Sequence, residues 1–327
     1  MSNIEMIEAA ARRLKGHIRR TPLLSSPFLD EIAGRRVLVK AEALQHTGSF
    51  KFRGGWSALS GLPPERRAKG VFAFSSGNHA QGVALAARIH GVPAVILMPA
   101  DAPALKIANT RALGAEVITY DRATEDRDAL GEALARDRGL TLIRPYDEPL
   151  VIAGQGSVGL ELAEQAAGEG EDDADVLICC GGGGLTSGVA LALEAKAPGL
   201  RARPVEPAGF DDVARSLISG RIEENAQTSG SLCDAIITPK PGDLTFPIMA
   251  RLCGPGIVVT ERDCLRAMAL AFSRLKIVLE PGGAAALAAA LFQPDAVDGP
   301  AVIAVATGGN VDAALFAHVL AEFGDAT

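Results

Sequence analysis

Residues 70–98 read GVFAFSSGNHAQGVALAARIHGVPAVILM, and this stretch predicts the fold. The short apolar run at residues 70–74 is typical of a buried strand, and the alanine-rich stretch at residues 78–89 is typical of a helix. The apolar run at residues 92–98 predicts a second strand. A strand, a helix and a strand in this order indicate a parallel sheet with helical crossovers.

The same alternation continues along the chain. Further helices are predicted near residues 104–113, 125–138, 159–167 and 186–195. Further strands are predicted at residues 115–120, 141–143, 176–180, 202–205 and 301–305. The fold class is therefore α/β, and we expect two lobes, each a mostly parallel sheet flanked by helices. A cleft between two such lobes is a favoured place for a ligand.

The composition excludes several classes of protein. The chain has 327 residues, of which 48% are hydrophobic, and a net charge of −7, so an acidic surface argues against a nucleic-acid partner. It contains no apolar run of membrane-spanning length, and its first residues lack the pattern of a secretory signal. Its five cysteines form no C-x-x-C pair. We therefore expect a cytoplasmic protein with no membrane partner.

A lysine stands out in the segment HTGSFKFRGG at residues 46–55. Lys51 follows Phe50 among small and hydroxyl residues, where a loop opens a predicted helix, so its side chain can reach into a cleft. Partial desolvation would ease the loss of its proton and make the amine a nucleophile able to form a Schiff base. Most lysines at helix starts are solvated charges, so this interpretation depends on other segments.

Two glycine- and serine-containing turns offer binding loops. The segment SSGNH at residues 75–79 opens a predicted helix, and its polar groups and free backbone N–H groups suit a carboxylate, although a plain helix cap is the alternative. The segment GGGGLTSG at residues 181–188 lets backbone amides approach a phosphate. It matches neither G-x-G-x-x-G nor a Walker A loop, so the phosphate belongs to something other than a dinucleotide or ATP.

Two weaker signals lie near the C-terminus. The segment TGGN at residues 307–310 places one hydroxyl at the end of a strand, and EPGGA at residues 280–284 indicates a helix start with a packing role. A nucleophilic lysine, a phosphate cradle and a carboxylate-binding loop together indicate pyridoxal 5'-phosphate. Its aldehyde needs an amine, its phosphate needs a cup, and its amino-acid substrate needs donors for a carboxylate.

From about residue 10 to residue 320, the chain resembles the threonine/serine dehydratase–serine racemase family of fold-type II pyridoxal-phosphate enzymes, which are tryptophan synthase β-like. The matching motifs occur in the family's order: GSFKFRG at 48–54, SSGNH at 75–79, IAGQGS at 152–157, the four glycines, and TGGN at 307–310. The resemblance implies a large cofactor-binding domain (1–68 and 149–327), a small substrate-closing domain (69–148) and a homodimer.

The resemblance also implies a role for each matching residue. Lys51 would hold the cofactor and move the Cα proton, and Ser76 would be the acid/base on the opposite face in the racemase branch. Thr307 would face the pyridine nitrogen, where a neutral hydroxyl favours loss of a β leaving group. The remaining cofactor contacts would come from Phe50, Asn78, Gly181, Gly182, Gly183, Gly184 and Leu185. The substrate carboxylate would be bound by Ser75, Ser76, Gly77 and His79.

A metal site is implied by the segment EPAGFDD at residues 206–212, which keeps two carboxylates at the family's spacing. Glu206, the Phe210 carbonyl and Asp212 would hold Mg²⁺ or Ca²⁺ through oxygen ligands. From the spacing alone, an ordinary acidic loop is an equal alternative.

The activity that the resemblance implies is an ammonia-lyase that converts L-threonine and L-serine, small β-hydroxy amino acids, to a 2-oxo acid and ammonia by β-elimination. The segment CDAI at residues 233–236 departs from the family's usual Ala-Asp-Gly, so the accepted side chain is open. Arg144 is either a surface charge or a group that attracts an acidic substrate. The alternatives are a 3-hydroxyaspartate dehydratase, an amino-acid racemase and a non-catalytic amino-acid sensor, and the last is disfavoured by the intact Lys51.

Overall fold

The computed structural model describes residues 2–75, 77–102, 104–121 and 124–324. Helices and strands alternate through these residues, as in an α/β fold. The strands are β1 Leu23–Ser25, β2 Arg36–Ala41, β3 Val71–Phe74, β4 Ala94–Pro99, β5 Glu116–Tyr120, β6 Thr141–Leu142, β7 Ala174–Cys179, β8 Leu200–Pro207, β9 Ile257–Val259 and β10 Ala301–Ala306. The first seven helices are α1 Ile4–Leu14, α2 Pro27–Ala33, α3 Lys51–Gly61, α4 Pro64–Lys69, α5 Asn78–His90, α6 Ala104–Ala112 and α7 Arg127–Arg138. The later helices are α8 Pro149–Gly168, α9 Gly184–Lys196, α10 Asp212–Ser219, α11 Thr245–Leu252, α12 Glu261–Leu270, α13 Pro281–Phe292 and α14 Ala313–Phe323.

The strands form two sheets. A six-stranded sheet has the order β1-β2-β10-β7-β8-β9, and a four-stranded sheet has the order β5-β4-β3-β6. Every neighbouring pair is parallel except β1 with β2. This arrangement confirms the predicted pair of mostly parallel sheets. Among the described residues, no helix combines the length and the apolar character that a membrane span requires.

The core explains why the central strands carry so few polar residues. All six residues of β10 are buried, and successive side chains of a strand point to opposite faces of its sheet. Val302 and Ala304 pack in the cluster that contains α12 and α13. Ile303 and Val305 pack in the cluster that contains α8 and α9. A parallel strand covered by helices on both faces therefore reads as a continuous apolar run.

Helix α8 is longer than the sequence predicts. It is a 20-residue helix, whereas the prediction covered only residues 159–167. The segment 152–157 is part of this helix, and a Cβ atom on Gly156 would be 2.9 Å from the carbonyl oxygen of Gly188 in α9. The glycines therefore serve close helix packing rather than a turn.

Strands β1, β2 and β9 are absent from the prediction. Two of them have only three residues, too few for a periodic pattern. Strand β2 contains the charged Lys40, which is fully buried because its amine is paired with Glu161. This charge interrupts the apolar run by which a buried strand is recognised.

The domain limits stay a prediction. All strands of the four-stranded sheet lie between residues 71 and 142, and all strands of the six-stranded sheet lie outside residues 69–148. This division supports a small domain inserted into a larger one at the proposed limits.

Candidate active site

A cavity of about 610 Å³ lies where the carboxyl ends of β3, β7 and β10 meet the start of α3. Cavities of this size suit a cofactor together with a small substrate, and the carboxyl ends of parallel strands are a common place for them. The predicted site residues on its wall are Phe50, Lys51, Ser75, Gly77, Asn78, His79, Gly181, Gly182, Gly183, Gly184, Leu185 and Thr307. The predicted acid/base Ser76 lies outside the described residues.

Lys51 is the first residue of α3, and its amine is turned into the cavity. Its Nζ donates a hydrogen bond to the carbonyl oxygen of Pro145 at 3.0 Å and lies 5.2 Å from the centroid of the Phe50 ring. Burial lowers the pKa of Lys51 to about 8, against the opposing effect of the Glu280 carboxylate. A much larger fraction of this amine is neutral near pH 8 than for an ordinary lysine, so it is suited to nucleophilic attack.

A buried ion cluster fixes the start of α3. Arg53, two residues after Lys51, is fully buried and donates to Glu42 at 2.8 Å and to Glu161 at 2.8 Å. Glu161 also accepts from Lys40 at 2.6 Å. Removing one partner would leave a buried charge unpaired at a large cost. The cluster therefore ties α3 to β2 and α8 and keeps Lys51 in place.

Helix α5 lies directly against the start of α3. A Cβ atom on Gly82 would be 2.9 Å from the carbonyl carbon of Lys51, so only glycine permits this approach. The close packing places Asn78 and His79 beside Lys51. His79 bonds the carbonyl oxygen of Ile143 through Nε2 at 2.9 Å, and burial, aided by the Lys51 charge, lowers its pKa to about 3. The ring is therefore neutral and donates this bond from Nε2.

An amide–carboxyl chain crosses the cavity floor. Asn78 donates to Glu280 Oε1 at 2.6 Å, and Asn310 donates to Asn78 Oδ1 at 2.7 Å. Burial raises the pKa of Glu280 to about 7. The sequence pattern at 280–284 predicts only a packing role, and Glu280 is not among the predicted site residues. A carboxylate directly before Pro281 at a helix start was the signal that could have found it.

The four-glycine segment forms a tight turn at the start of α9. Gly183 has a φ of +88°, a left-handed conformation that glycine adopts without strain. The turn is held by Thr245, whose hydroxyl donates to the Gly182 carbonyl at 2.6 Å. The Tyr146 ring lies so close to Gly182 that a Cβ atom there would overlap three ring atoms. Tyr146 also lines the cavity, and it is not among the site residues predicted from the sequence.

Within the described residues, three polar side chains on the cavity wall have buried atoms without a hydrogen-bond partner. They are both amide atoms of Gln155 and the hydroxyl oxygens of Thr186 and Thr238. Buried polar groups are normally paired, and such atoms indicate a missing ligand. Pyridoxal phosphate fits these features. The glycine turn leaves room for its phosphate, unpaired polar groups lie beside the turn, and Lys51 has a lowered pKa.

The proposed metal ligands lie away from this cavity. Glu206 and Asp212 are fully buried, and neither lines it. Glu206 accepts from the backbone N–H groups of Val213 at 2.9 Å and Ala214 at 2.7 Å, so it caps α10. Asp212 Oδ1 accepts from Asn225 at 2.5 Å, whereas its Oδ2 has no hydrogen-bond partner in the described part of the chain.

The electrostatics of this pair fit a cation. Burial raises the pKa of Glu206 well above its usual range, with Asp212 adding to the effect, and burial raises the pKa of Asp212 to about 6. No group of three or more His, Cys, Asp or Glu side chains suited to a metal occurs in the part of the chain that the structure describes. A divalent ion would therefore depend on two carboxylates and the Phe210 carbonyl.

The structure decides between the two alternatives for Arg144 in favour of a surface charge. Arg144 is exposed and does not line the cavity. Lys106 of α6 does line it, and its Nζ lies 3.2 Å from Oδ2 of Asp234. Asp234 and Ala235, from the segment that departs from the family pattern, lie on the same wall. Lys106, unlike Arg144, therefore brings a positive charge to the cavity wall.

The chain is similar to proteins of known activity along most of its length. It is 43% identical over 320 residues to an L-threo-3-hydroxyaspartate ammonia-lyase of Pseudomonas sp, and the match covers 98% of this chain and 99% of the relative. It is 41% identical to an L-threo-3-hydroxyaspartate ammonia-lyase of Saccharomyces cerevisiae, with 95% of this chain and 94% of the relative covered. It is 38% identical to a serine racemase of Schizosaccharomyces pombe, with 97% and 96% covered.

Solved structures agree with these relatives. The crystal structure of a T.th. threonine deaminase superposes with a TM-score of 0.90 at 43% identity and covers 95% of this chain and 99% of that one. The family described as pyridoxal-phosphate dependent enzyme matches residues 14–308. The two parallel sheets are those of fold-type II enzymes, and the cofactor is pyridoxal phosphate. The chain belongs to the family of pyridoxal-phosphate dependent enzymes.

Proposed function

We propose that this protein is a pyridoxal-phosphate-dependent ammonia-lyase acting on a β-hydroxy amino acid, with L-threo-3-hydroxyaspartate as the first candidate substrate. The observation that carries the proposal is the position of the Lys51 amine. It lies in the same cavity as the glycine turn at the start of α9 and the Thr307 hydroxyl, and burial lowers its pKa to about 8.

The residues on the wall have distinct tasks in this reaction. Pyridoxal phosphate, when bound, supplies the electron sink that acidifies the Cα proton of an amino acid. Lys51 Nζ would hold the cofactor and, once displaced by the substrate amine, take the Cα proton. The backbone N–H groups of the glycine turn and the start of α9 would hold the phosphate. The residues before α5, Ser75 and Gly77, would orient the substrate carboxylate.

Elimination is favoured over other fates of the substrate by the neutral Thr307 hydroxyl. It lies at the end of β10 with a side chain that is 4% exposed. A hydroxyl cannot stabilise a positive pyridine ring as a carboxylate would, so electrons from Cα are available to expel the β-hydroxyl. The Cα proton and the β-hydroxyl would leave together as one water molecule. Hydrolysis of the released imine would consume one water molecule, so that 3-hydroxyaspartate gives oxaloacetate and ammonia.

Three β-hydroxy amino acids are candidate substrates. 3-Hydroxyaspartate is favoured by the similarity to two hydroxyaspartate ammonia-lyases, at 43% and 41% identity. It is also favoured by Lys106, whose positive charge lies on the cavity wall. L-Threonine and L-serine are the second candidates, and the 43% identity to a threonine deaminase favours threonine.

A substrate panel tests the proposal. The purified holoenzyme is incubated with both L-3-hydroxyaspartate diastereomers, L-threonine, L-serine and D-serine, and 2-oxo acid and the chirality of the remaining amino acid are measured. We expect oxaloacetate from the L-threo compound at the highest kcat/KM. Racemised amino acid without 2-oxo acid would instead indicate a racemase, and no 2-oxo acid from any compound would refute the ammonia-lyase.

The rate of cofactor uptake is expected to depend on pH through Lys51. Only the neutral amine attacks the aldehyde, and a pKa of about 8 places its deprotonation between pH 7 and 9. The rate at which the cofactor-free protein gains the cofactor absorbance band should therefore rise roughly tenfold from pH 7 to pH 9 and then level off. A rate that climbs without a plateau to pH 10 would contradict the lowered pKa.

A matched variant sharpens this test. The Glu280 carboxylate raises the pKa of Lys51, so Glu280→Gln should move the plateau to lower pH. A plateau that moves to higher pH would exclude this electrostatic effect.

A divalent ion at Glu206 and Asp212 is expected to stabilise the protein. Both carboxyls are buried, and burial disfavours the charged form of each in the absence of a cation. Treatment with a chelator should lower the melting temperature by several degrees, and adding back Mg²⁺ or Ca²⁺ should restore it. The variant Asp212→Asn should lose this response. An unchanged melting temperature on chelation of the wild type would argue against the ion.

The oligomer and the location of the protein stay predictions. A homodimer is expected, and light scattering at the elution peak would give twice the mass of 33.8 kDa. A cytoplasmic location is expected from the sequence, and fractionation of the source cells would test it.

A further inference from the structure

The cavity carries few charges that could recognise a second substrate carboxylate. Of the lysine and arginine side chains in the described part of the chain, only Lys51 and Lys106 line it. Lys51 is committed to the cofactor in the proposed function. His79 is neutral because burial lowers its pKa to about 3. Lys106 is therefore the cation that remains for a substrate side chain.

Lys106 lies where two parts of the molecule face each other across the cavity. It is carried by α6, which flanks the four-stranded sheet, and Asp234 is carried by a short turn at residues 234–236 before α11. Their side chains are 35% and 58% exposed. An ion pair this exposed contributes little to the stability of the fold. A ligand can therefore break it at a small cost in free energy.

We propose that Lys106 is the specificity-determining residue that binds the distal carboxylate of an acidic β-hydroxy amino acid, which displaces Asp234. This inference rests on the proposed ammonia-lyase function and names its substrate class. The displacement exchanges one carboxylate for another at the same ammonium group, so no charge is left unpaired at Lys106. Asn109, one helical turn further along α6, also lines the cavity and can donate to the same carboxylate.

Asp234 opposes the same ligand. With Lys106 engaged by the substrate, the Asp234 carboxylate is left beside a second negative charge on the cavity wall, and like charges at close range repel. Asp234 therefore discourages binding of acidic substrates in the absence of Lys106 and sets how tightly they bind in its presence. A substrate such as threonine, with a methyl group in place of the carboxylate, leaves the ion pair intact.

Arg127 is the rival for this role. Its guanidinium lies 4.9 Å from the centroid of the Phe74 ring, and Phe74 lines the cavity. Arg127 itself does not line the cavity, and it is paired with the neighbouring Asp128 at 3.2 Å. The Phe74 ring lies between the cavity and Arg127, and a variant distinguishes Arg127 from Lys106.

The test compares acidic and neutral ligands on the holoenzyme. Kinetics give kcat/KM for L-threo-3-hydroxyaspartate and for L-threonine. Changes in the cofactor absorbance give the Kd of L-aspartate and of L-alanine, which lack the β-hydroxyl. We expect Lys106→Met to lower the ratio of kcat/KM for L-threo-3-hydroxyaspartate to kcat/KM for L-threonine about tenfold or more. The same variant should weaken the binding of L-aspartate relative to that of L-alanine by a similar factor. Lys106→Arg should keep both ratios within about threefold of the wild type. Asp234→Asn should lower the Kd of L-aspartate.

Two control variants separate a specific role of Lys106 from a general effect of lost charge. Arg144→Met, which removes an exposed charge outside the cavity, should leave both ratios unchanged. An equal loss for acidic and neutral ligands in Lys106→Met would make Lys106 a structural contact, and a selective loss in Arg127→Met alone would transfer the role to Arg127. Either result overturns the proposal. If the wild type forms no 2-oxo acid, the ammonia-lyase function fails, but the L-aspartate and L-alanine affinities still decide the role of Lys106.

Discussion

Replacement of Lys51 by alanine is expected to reduce kcat for 2-oxo acid formation by about a thousandfold or more. The amine is both the group that holds the cofactor and the base for the Cα proton, and a positioned base alone contributes roughly 10²–10⁴-fold. The other lysine on the described cavity wall, Lys106, is paired with Asp234 and lies on another element. The absorbance band of the lysine-bound cofactor should disappear as well, which a spectrum of the purified protein measures.

The fold should survive this substitution. Lys51 begins α3, and alanine is a good helix former at that position. The control is Lys15→Ala, which removes an exposed lysine at the end of α1 and should keep both the band and the rate. A Lys51→Ala protein that retained the band would show that another amine holds the cofactor.

Replacement of Gly182 by alanine is expected to weaken cofactor binding by about a hundredfold or more. The added Cβ atom would overlap three atoms of the Tyr146 ring. Tyr146 is partly buried, and the Thr245 hydroxyl holds the Gly182 carbonyl at 2.6 Å, so neither neighbour yields easily. Overpacking of this kind costs about 1–3 kcal/mol, and here it displaces the backbone N–H groups that the phosphate needs. Fluorescence titration of the cofactor-free protein with pyridoxal phosphate measures the affinity.

A second substitution identifies the cause. If the Tyr146 ring is the obstacle, Tyr146→Ala in the Gly182→Ala background should bind the cofactor more tightly than Gly182→Ala alone. The control is Gly168→Ala at the end of α8, where an added Cβ meets nothing within 4 Å. Cofactor affinity in Gly182→Ala equal to that of the wild type would show that the turn does not hold the phosphate as proposed.

The fold class was predictable because its signal is local. The runs at β3, β4 and β5, with α5 and α6 between them, appear in the sequence as apolar segments separated by helical ones. The first half of α8 gives a weak helical pattern because glycine has a low helix propensity, and only the packing against α9 explains the glycines there. Strand β2 was missed because Lys40 interrupts its apolar pattern, and its charge is tolerated only through Glu161, which lies 121 residues further along the chain.

The candidate site divides in the same way. The sequence by itself determined the candidate groups at the starts of helices, namely Lys51, Asn78 and the four glycines, because the chemistry of a helix start depends on a few adjacent residues. Only the tertiary structure decided which distant side chains meet them. Glu280 reaches Asn78, Tyr146 covers Gly182, and Lys106 faces Asp234 because segments that are far apart in the sequence converge on one cavity. Contacts between residues so far apart in sequence leave no local pattern. These three pairs therefore follow from the tertiary structure and not from the sequence alone.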